Sequence, residues 1–162
     1  MDIWTEQLER RHLLILAHWV GRSSGAMTPN DLPTKTEDIP HWYEKCSIEP
    51  GRMDCLILVY DTPVGLAGLR QLDSREGVAE LYLQLYEVNY NLLRTATYAT
   101  LRMLDRAFQA RDIKRVEARV HAQYREYLEA LDRMGFSRTT ADNQWIYVGV
   151  EKDIFLSRKY LF

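Results

Sequence analysis

Apolar positions along the chain recur with two different periods, and the change from one to the other marks out the elements. Leu13, Leu16, Ala17 and Val20 recur at helical spacing and predict a helix over residues 9–20, after a short strand over residues 3–5. The run Gly21-Arg22-Ser23-Ser24-Gly25 stops that helix. A polar stretch with prolines, residues 27–40, is long for a connector and reads as a functional loop, and residues 41–46 form one or two further helical turns. Ile57, Leu58, Val59 and Tyr60 mark a strand over residues 53–60, and the turn at residues 61–65 leads into a second strand that ends near Leu72. After a second turn at residues 73–77, Ala79, Leu81, Leu83 and Leu85 alternate with Glu80, Tyr82, Gln84 and Tyr86, a period of two. Leu93, Ala96, Thr100, Leu104, Ala107 and Phe108 then form the stripe of a long helix over residues 93–111.

A strand over residues 113–121 follows, alternating Val116, Ala118 and Val120 with Arg115, Glu117 and Arg119. Tyr124, Tyr127, Leu128, Leu131 and Met134 give a helix over residues 123–134, with Gly135 as its stop, and residues 145–150 and 153–157 read as closing strands. Three consecutive strands joined by turns run antiparallel. The passage from Glu80 through the long helix to His121 is a crossover, which makes its two strands parallel. The sheet is therefore mixed.

Composition narrows the partners. At 162 residues, 46% hydrophobic and 27% charged, the chain has the size and core of one domain spanning residues 1–162. Lys plus Arg number 21 against 23 Asp plus Glu, a formal charge of -2 that offers no basic field to nucleic acid or to an anionic membrane. Apolar runs such as residues 13–17 fall far short of the roughly 20 residues of a membrane span, and no basic segment followed by an apolar run opens the chain, so the expected location is cytoplasmic. Cys46 and Cys55 match no zinc or redox spacing and read as reduced thiols. His12, His18, His41 and His121 include no pair at one-turn spacing, and neither a P-loop nor a dinucleotide fingerprint is present; no metal is expected.

Several segments together resemble the GNAT superfamily of acyl-CoA-dependent N-acyltransferases, in particular its ribosomal-protein-acetyltransferase-like branch. They are Val64-Gly65-Leu66-Ala67-Gly68-Leu69, Ala79-Glu80-Leu81-Tyr82-Leu83, Ala107-Phe108 with Ile113-Lys114-Arg115-Val116-Glu117-Ala118-Arg119-Val120, and Leu128-Glu129-Ala130-Leu131-Asp132-Arg133-Met134-Gly135-Phe136. His41-Trp42-Tyr43-Glu44 resembles the short helix before the first hairpin of that branch. The resemblance implies an α/β (α+β) fold: a mixed, mostly antiparallel central sheet with a splayed parallel strand pair, flanked by about four helices. It implies acetyl-CoA or another acyl-CoA as co-substrate, with a pantetheine arm in the gap between the splayed strands. It further implies a pyrophosphate on the tip of the following helix, where unpaired amides favour an anion. Residues carried over as cofactor-binding are Leu83, Leu85, Arg94, Thr95, Ala96, Thr97 and Tyr98. This chain departs from the family pattern at that tip. Thr95 and Thr97 stand at the two glycine positions and Leu92 at the leading basic or amide position, while Tyr124 aligns with a frequent Asn and Leu131 with a frequent Tyr.

On this reading Glu80 is the general base for an acceptor ammonium, or else a structural carboxylate paired with Arg70 or Arg119. Tyr124 is an acid for the leaving thiolate, or packs on its helix stripe. Tyr82, Gln84 and Trp42 are the substrate-binding candidates, with a wet sheet face as the alternative for Tyr82 and Gln84; Trp19, Trp42 and Tyr43 belong to a lid over the acceptor site or to the packing beneath it. Arg94 binds pyrophosphate or is solvated, and His121 is a second candidate base or a surface residue. The expected activity is acetyl transfer to a primary amine of a small molecule or of a protein N-terminus. The alternatives are a fold that no longer uses acetyl-CoA in the usual way, serving as a binding module or taking a different donor, and an interaction subunit with a face of Tyr60, Tyr82, Tyr86, Tyr90 and Tyr98. The apolar end Tyr160-Leu161-Phe162, read as a strand, suggests a homodimer.

Overall fold

The predicted strands up to residue 150 find their places in one seven-stranded sheet among the described residues, together with a strand over residues 137–141 that the residue pattern did not mark. A computed structural model describes residues 2–20, 22, 27, 28, 30–87 and 91–162. The expected helix stop at residues 21–25, apart from Arg22, lies outside the described residues, as does Tyr90. The strands are β1 (Ile3–Gln7), β2 (Met53–Val59), β3 (Thr62–Arg70), β4 (Val78–Leu85), β5 (Arg115–His121), β6 (Ser137–Ala141) and β7 (Trp145–Glu151). Their order in the sheet is β1-β2-β3-β4-β5-β7-β6, antiparallel throughout except for the parallel β4–β5 pair that the crossover requires. The mixed, mostly antiparallel sheet with one parallel pair is thus the observed architecture.

The helices are α1 (Leu13–Trp19), preceded by a 3-10 turn at Arg10–His12, α2 (Ile39–Ile48), α3 (Leu92–Gln109), α4 (Arg125–Met134) and α5 (Lys152–Arg158). The segment over residues 153–157, expected as a strand, is helix α5, which brings the α-helices among the described residues to five, and the expected final strand at Tyr160-Leu161-Phe162 gives way to a 3-10 turn at Lys159–Leu161. The cause is topological. β7 already pairs with β5 on one side and β6 on the other, so a strand that followed it would find no free edge beside β7, and the chain satisfies its backbone locally instead. Phe155, fully buried, pins α5 to the core with its ring 5.6 Å from that of Phe108. Gly135 ends α4 with a φ of 107°, a left-handed conformation that a Cβ would strain. No helix among the described residues is long and apolar enough to cross a membrane.

Helices cover the two faces of the sheet unequally. α3, α4 and α5 bury one face over β1–β5 and β7, leaving β6 exposed, with Leu81, Leu83, Met103, Leu104, Val116, Val120 and Leu131 at the centre. On the other face α1 and α2 cover only β1–β4, through Leu16, Trp19, Ile39 and Trp42 packed on Leu56, Leu58, Leu66 and Tyr82. The polar-looking face of β4 is therefore buried where the helices lie: Tyr82 and Gln84 are each 3% exposed. Gly68 makes this possible, because the Tyr82 ring lies across its backbone where a Cβ would collide. The Tyr82 hydroxyl donates to Asp54 Oδ1 at 2.6 Å, and Asp54 in turn accepts from Arg52 Nε at 2.9 Å. Burial, reinforced by the Asp54 carboxylate, pushes the Tyr82 phenol up.

Arg52, itself buried, also grips Asp31 in the 27–40 loop with bonds of 2.9 and 3.0 Å, and Arg70 lies 2.5 Å from the same carboxylate. Burial raises the Asp31 carboxyl, but hydrogen bonds to Arg52 and the charges of Arg52 and Arg70 outweigh it and hold it down at about 2. This loop is consequently fastened to β2 and β3. Cys46 and Cys55 are free and buried, and burial pushes their thiols up to about 12 and about 11.

Two consequences are measurable. Phe155→Ala removes a fully buried ring and lowers stability by about 3–5 kcal/mol in urea titration. Because the Asp31 carboxyl is depressed in the folded state, its ion pairs stabilise the fold above the ordinary carboxylate value and that stabilisation is lost as pH falls toward about 2. Asp31→Asn is therefore less stable than the parent near neutrality, and the gap between the two narrows between about pH 4 and pH 2.

Candidate functional site

β4 and β5 pair at only three positions, Val78 with Arg115, Ala79 with Val116 and Glu80 with Glu117, and then part. Beyond that point each strand stays with its other neighbour: β4 follows β3 as far as Leu85, and β5 follows β7 to His121. Sheet twist carries the two apart and leaves a wedge across which the two strands no longer pair with each other. The predicted splay of the parallel pair is present.

On the face that α1 and α2 leave open, a cavity of about 230 Å³ lies at the start of the wedge, lined among others by Gln71, Glu80, Glu117, Arg119, Thr139 and Tyr147. Glu80 is half-buried in its wall, with no hydrogen-bond or ion-pair partner among the described residues. Neither arginine that could have neutralised it does so. Arg70, its partner in the β3–β4 register, turns to Asp31 and to the Tyr82 ring at 5.8 Å, while Arg119 lies over the Tyr147 ring at 5.9 Å. Glu117 is engaged instead, by Arg115 at 3.2 Å. A carboxylate held against a cavity without a cation is free to accept a proton from what enters.

On the other face, a groove of about 220 Å³ runs between the N-terminal ends of α3 and α4, lined by Met27, Leu92, Leu93, Gln123, Tyr124, Glu126 and Tyr127. Tyr124 is half-buried at the residue that opens α4, its ring edge-on to His121 at 6.2 Å. Tyr127 lies deeper, sharing a 2.7 Å hydrogen bond between its hydroxyl and that of Thr100; burial outweighs that bond and pushes its phenol up to about 12.

At the tip of α3, Asn91 caps the helix by accepting from the Arg94 amide at 2.9 Å, and the Leu92 and Leu93 amides, first-turn donors, have no partner among the described residues. Thr95, Ala96 and Thr97 are buried; the Thr97 hydroxyl donates back to the Leu93 carbonyl at 2.7 Å, and the Thr95 hydroxyl is buried with no partner. Their side chains thus pack under the helix rather than cover its tip. Arg94 is exposed and reaches back over the Tyr98 ring at 5.5 Å. A thin, largely apolar arm fits the groove, and an anion fits the free amides at its end.

Glu80 lies at the start of the wedge and Leu83 and Leu85 further along the same strand, while Tyr124 lines the groove on the other face. The wedge does not bring Tyr82, Gln84 or Trp42 into the cavity. Tyr82 and Gln84 lie under α1 and α2, and Trp42, 7% exposed, packs beneath the site with its indole N–H donating to Asp31 at 3.4 Å. Trp19 is buried likewise, stacked on Tyr86 at 4.9 Å and bonded to Glu87 at 3.0 Å. The residues absent from the sequence reading are Met27 and Thr28. The Met27 carbonyl accepts from the His121 amide at 2.9 Å, and the Thr28 hydroxyl accepts from the Leu83 amide at 2.7 Å, so this pair bridges the two edges of the wedge. Only the unusual length of the loop that carries them hinted at such a role.

Comparison with known proteins agrees with this geometry. The family model described as acetyltransferase (GNAT) domain matches residues 6–137. No curated protein sequence matches the chain. Among solved structures, an aminoglycoside acetyltransferase in complex with coenzyme A superposes with a TM-score of 0.79 at 13% identity, over 98% of this chain and 99% of that one. A spermidine N-acetyltransferase from Vibrio cholerae, in complex with CoA and spermine, does so with a TM-score of 0.79 at 13% identity, over 95% of this chain and 98% of that one. At such identity the structural likeness is one of fold, and it is the match of the family model over most of the sequence that assigns the chain: it belongs to the GNAT acetyltransferase domain family.

Proposed function

We propose that this protein is an acyl-CoA-dependent N-acyltransferase that moves an acyl group, acetyl in the first instance, to a primary amine of a small molecule or a protein N-terminus. The observation that carries the reading is the unpaired Glu80 at the point where β4 and β5 part, between the cavity on one face and the groove on the other. The donor, when bound, supplies an activated thioester carbonyl, so the chain's task is to orient two reactants and to manage protons.

In this reading the groove between α3 and α4 takes the pantetheine arm, with Leu83 and Leu85 along its strand edge and Tyr124 at its side. The free amides of Leu92 and Leu93, with Arg94 nearby, hold the pyrophosphate; Ala96 and Tyr98 support that turn from within the helix. The acceptor amine enters the cavity on the opposite face. Glu80 stands three residues before Leu83, about 10 Å along the strand, a separation that takes a short chain of waters when the proton leaves the acceptor ammonium, since one water joins groups only about 5–6 Å apart. The Tyr124 hydroxyl is the proton source nearest the donor's sulfur end. The solved relatives are named for polyamine and aminoglycoside acceptors, which supports an amine acceptor here and leaves its identity to the lining of this cavity.

A second reading, a GNAT fold that binds without transferring, is favoured by the threonines at the α3 tip and by the engagement of the Leu83 edge by Thr28. Coenzyme A separates the two, because a ligand that binds only the folded state raises the melting temperature. The transferase reading expects a rise that grows with ligand concentration, and a flat series favours the second reading. In steady-state assays Glu80→Gln lowers kcat by about 100-fold or more while leaving the dissociation constant for coenzyme A within about twofold. An unchanged kcat removes Glu80 from the role of base.

A further inference from the structure

The strand edge that the wedge exposes is not free in this fold. Leu83 is the residue of β4 whose amide and carbonyl both point into the gap, past the last β5 pairing at Glu80. Both groups are met by one side chain. The Leu83 amide donates to Thr28 Oγ1 at 2.7 Å, and the Thr28 hydroxyl lies 3.3 Å from the Leu83 carbonyl, which it faces as donor. Across the gap the His121 amide of β5 donates to the Met27 carbonyl at 2.9 Å, so residues 27 and 28 stand where a strand between β4 and β5 would stand. Met27 is buried and also forms part of the lining of the groove between α3 and α4.

The insertion is held from behind. The Asn30 side chain donates to the Thr28 carbonyl at 3.2 Å and accepts from the Leu32 amide at 3.1 Å, and Asp31 next to it is clamped by Arg52 and Arg70. Thr28, 1% exposed, is thus a buried hydroxyl fixed on a backbone edge. An extended, amide-bearing chain entering the same gap meets these backbone groups first, because an unpaired strand edge is the natural partner for amides laid along it.

We propose that Thr28 is the gating residue of the donor site: its hydroxyl holds the Leu83 amide and carbonyl in place of the pantetheine arm, and acyl-CoA binds only as that hydroxyl is displaced. The inference rests on the transferase reading above and concerns the regulation of the same site. Displacement costs two hydrogen bonds to Leu83, so the chain's affinity for its donor is set below what the groove and helix tip alone would give.

Coenzyme A binding, measured by calorimetry on the full-length protein and on Thr28→Val, Thr28→Ala and Thr28→Ser, tests this. Loss of the hydroxyl in the Val and Ala forms is expected to tighten binding by about tenfold, while Ser, which keeps the hydroxyl, binds as the parent does. Circular dichroism identifies any variant that fails to fold, and the Ala and Ser pair decides the question if Val is lost. If every form binds coenzyme A with the same affinity, or the Val and Ala forms bind more weakly, the gate is overturned and the transferase reading stands. If neither the parent nor any variant binds coenzyme A, the transferase reading itself falls, and the gate with it.

Discussion

The molecule turns on a hydrogen-bonding constraint: β4 and β5 share a ladder for three residues and then cannot share it further, because each is committed along its length to a different neighbour. A parallel pair opened in this way leaves backbone donors and acceptors inside a protein, where unpaired groups are costly. The fold must satisfy them or lend them to a ligand. Here Met27 and Thr28 supply the internal solution, and the groove between α3 and α4 lies beside the edge they occupy.

The unequal covering of the sheet explains why one carboxylate stands ready while its neighbours on the same strand face do not. Tyr82 and Gln84 point to the same side as Glu80, yet α1 and α2 end above them and stop short of β5. Asp54 and Arg52 absorb the polar end of Tyr82, Asp31 draws Arg70 away, and Glu80 is left at the border between the covered and open halves. The loop that closes the wedge and the ion cluster that leaves Glu80 unpaired meet in Asp31, so the Leu83 edge and the Glu80 carboxylate depend on one anchor.

Much of this was legible from the residue pattern. The period-two run in β4, the stripe of α3 and the crossover between them marked the parallel pair and the mixed sheet, and the resemblance to the GNAT superfamily implied the gap between the two strands. The burial of Tyr82 was not legible, because alternation marks two faces without saying which helices lie on each, and a tyrosine suits a wet face and a dry one equally. The C-terminal helix was misjudged because Ile154, Phe155 and Leu156 form an apolar run that suits either period; only the full occupancy of β7 by its two neighbours decides it. Beyond the length of its loop Thr28 left no signal, since a hydroxyl that bonds a distant strand looks in sequence like any loop threonine.

The most direct test of the account is a backbone amide NMR titration of the full chain with acetyl-CoA. The account predicts that the amides of Leu83, Leu92, Leu93, Tyr124 and His121 shift together and saturably, while those of α2 stay in place. A saturable response confined to another surface, or none at all in the wedge at millimolar ligand, would contradict it.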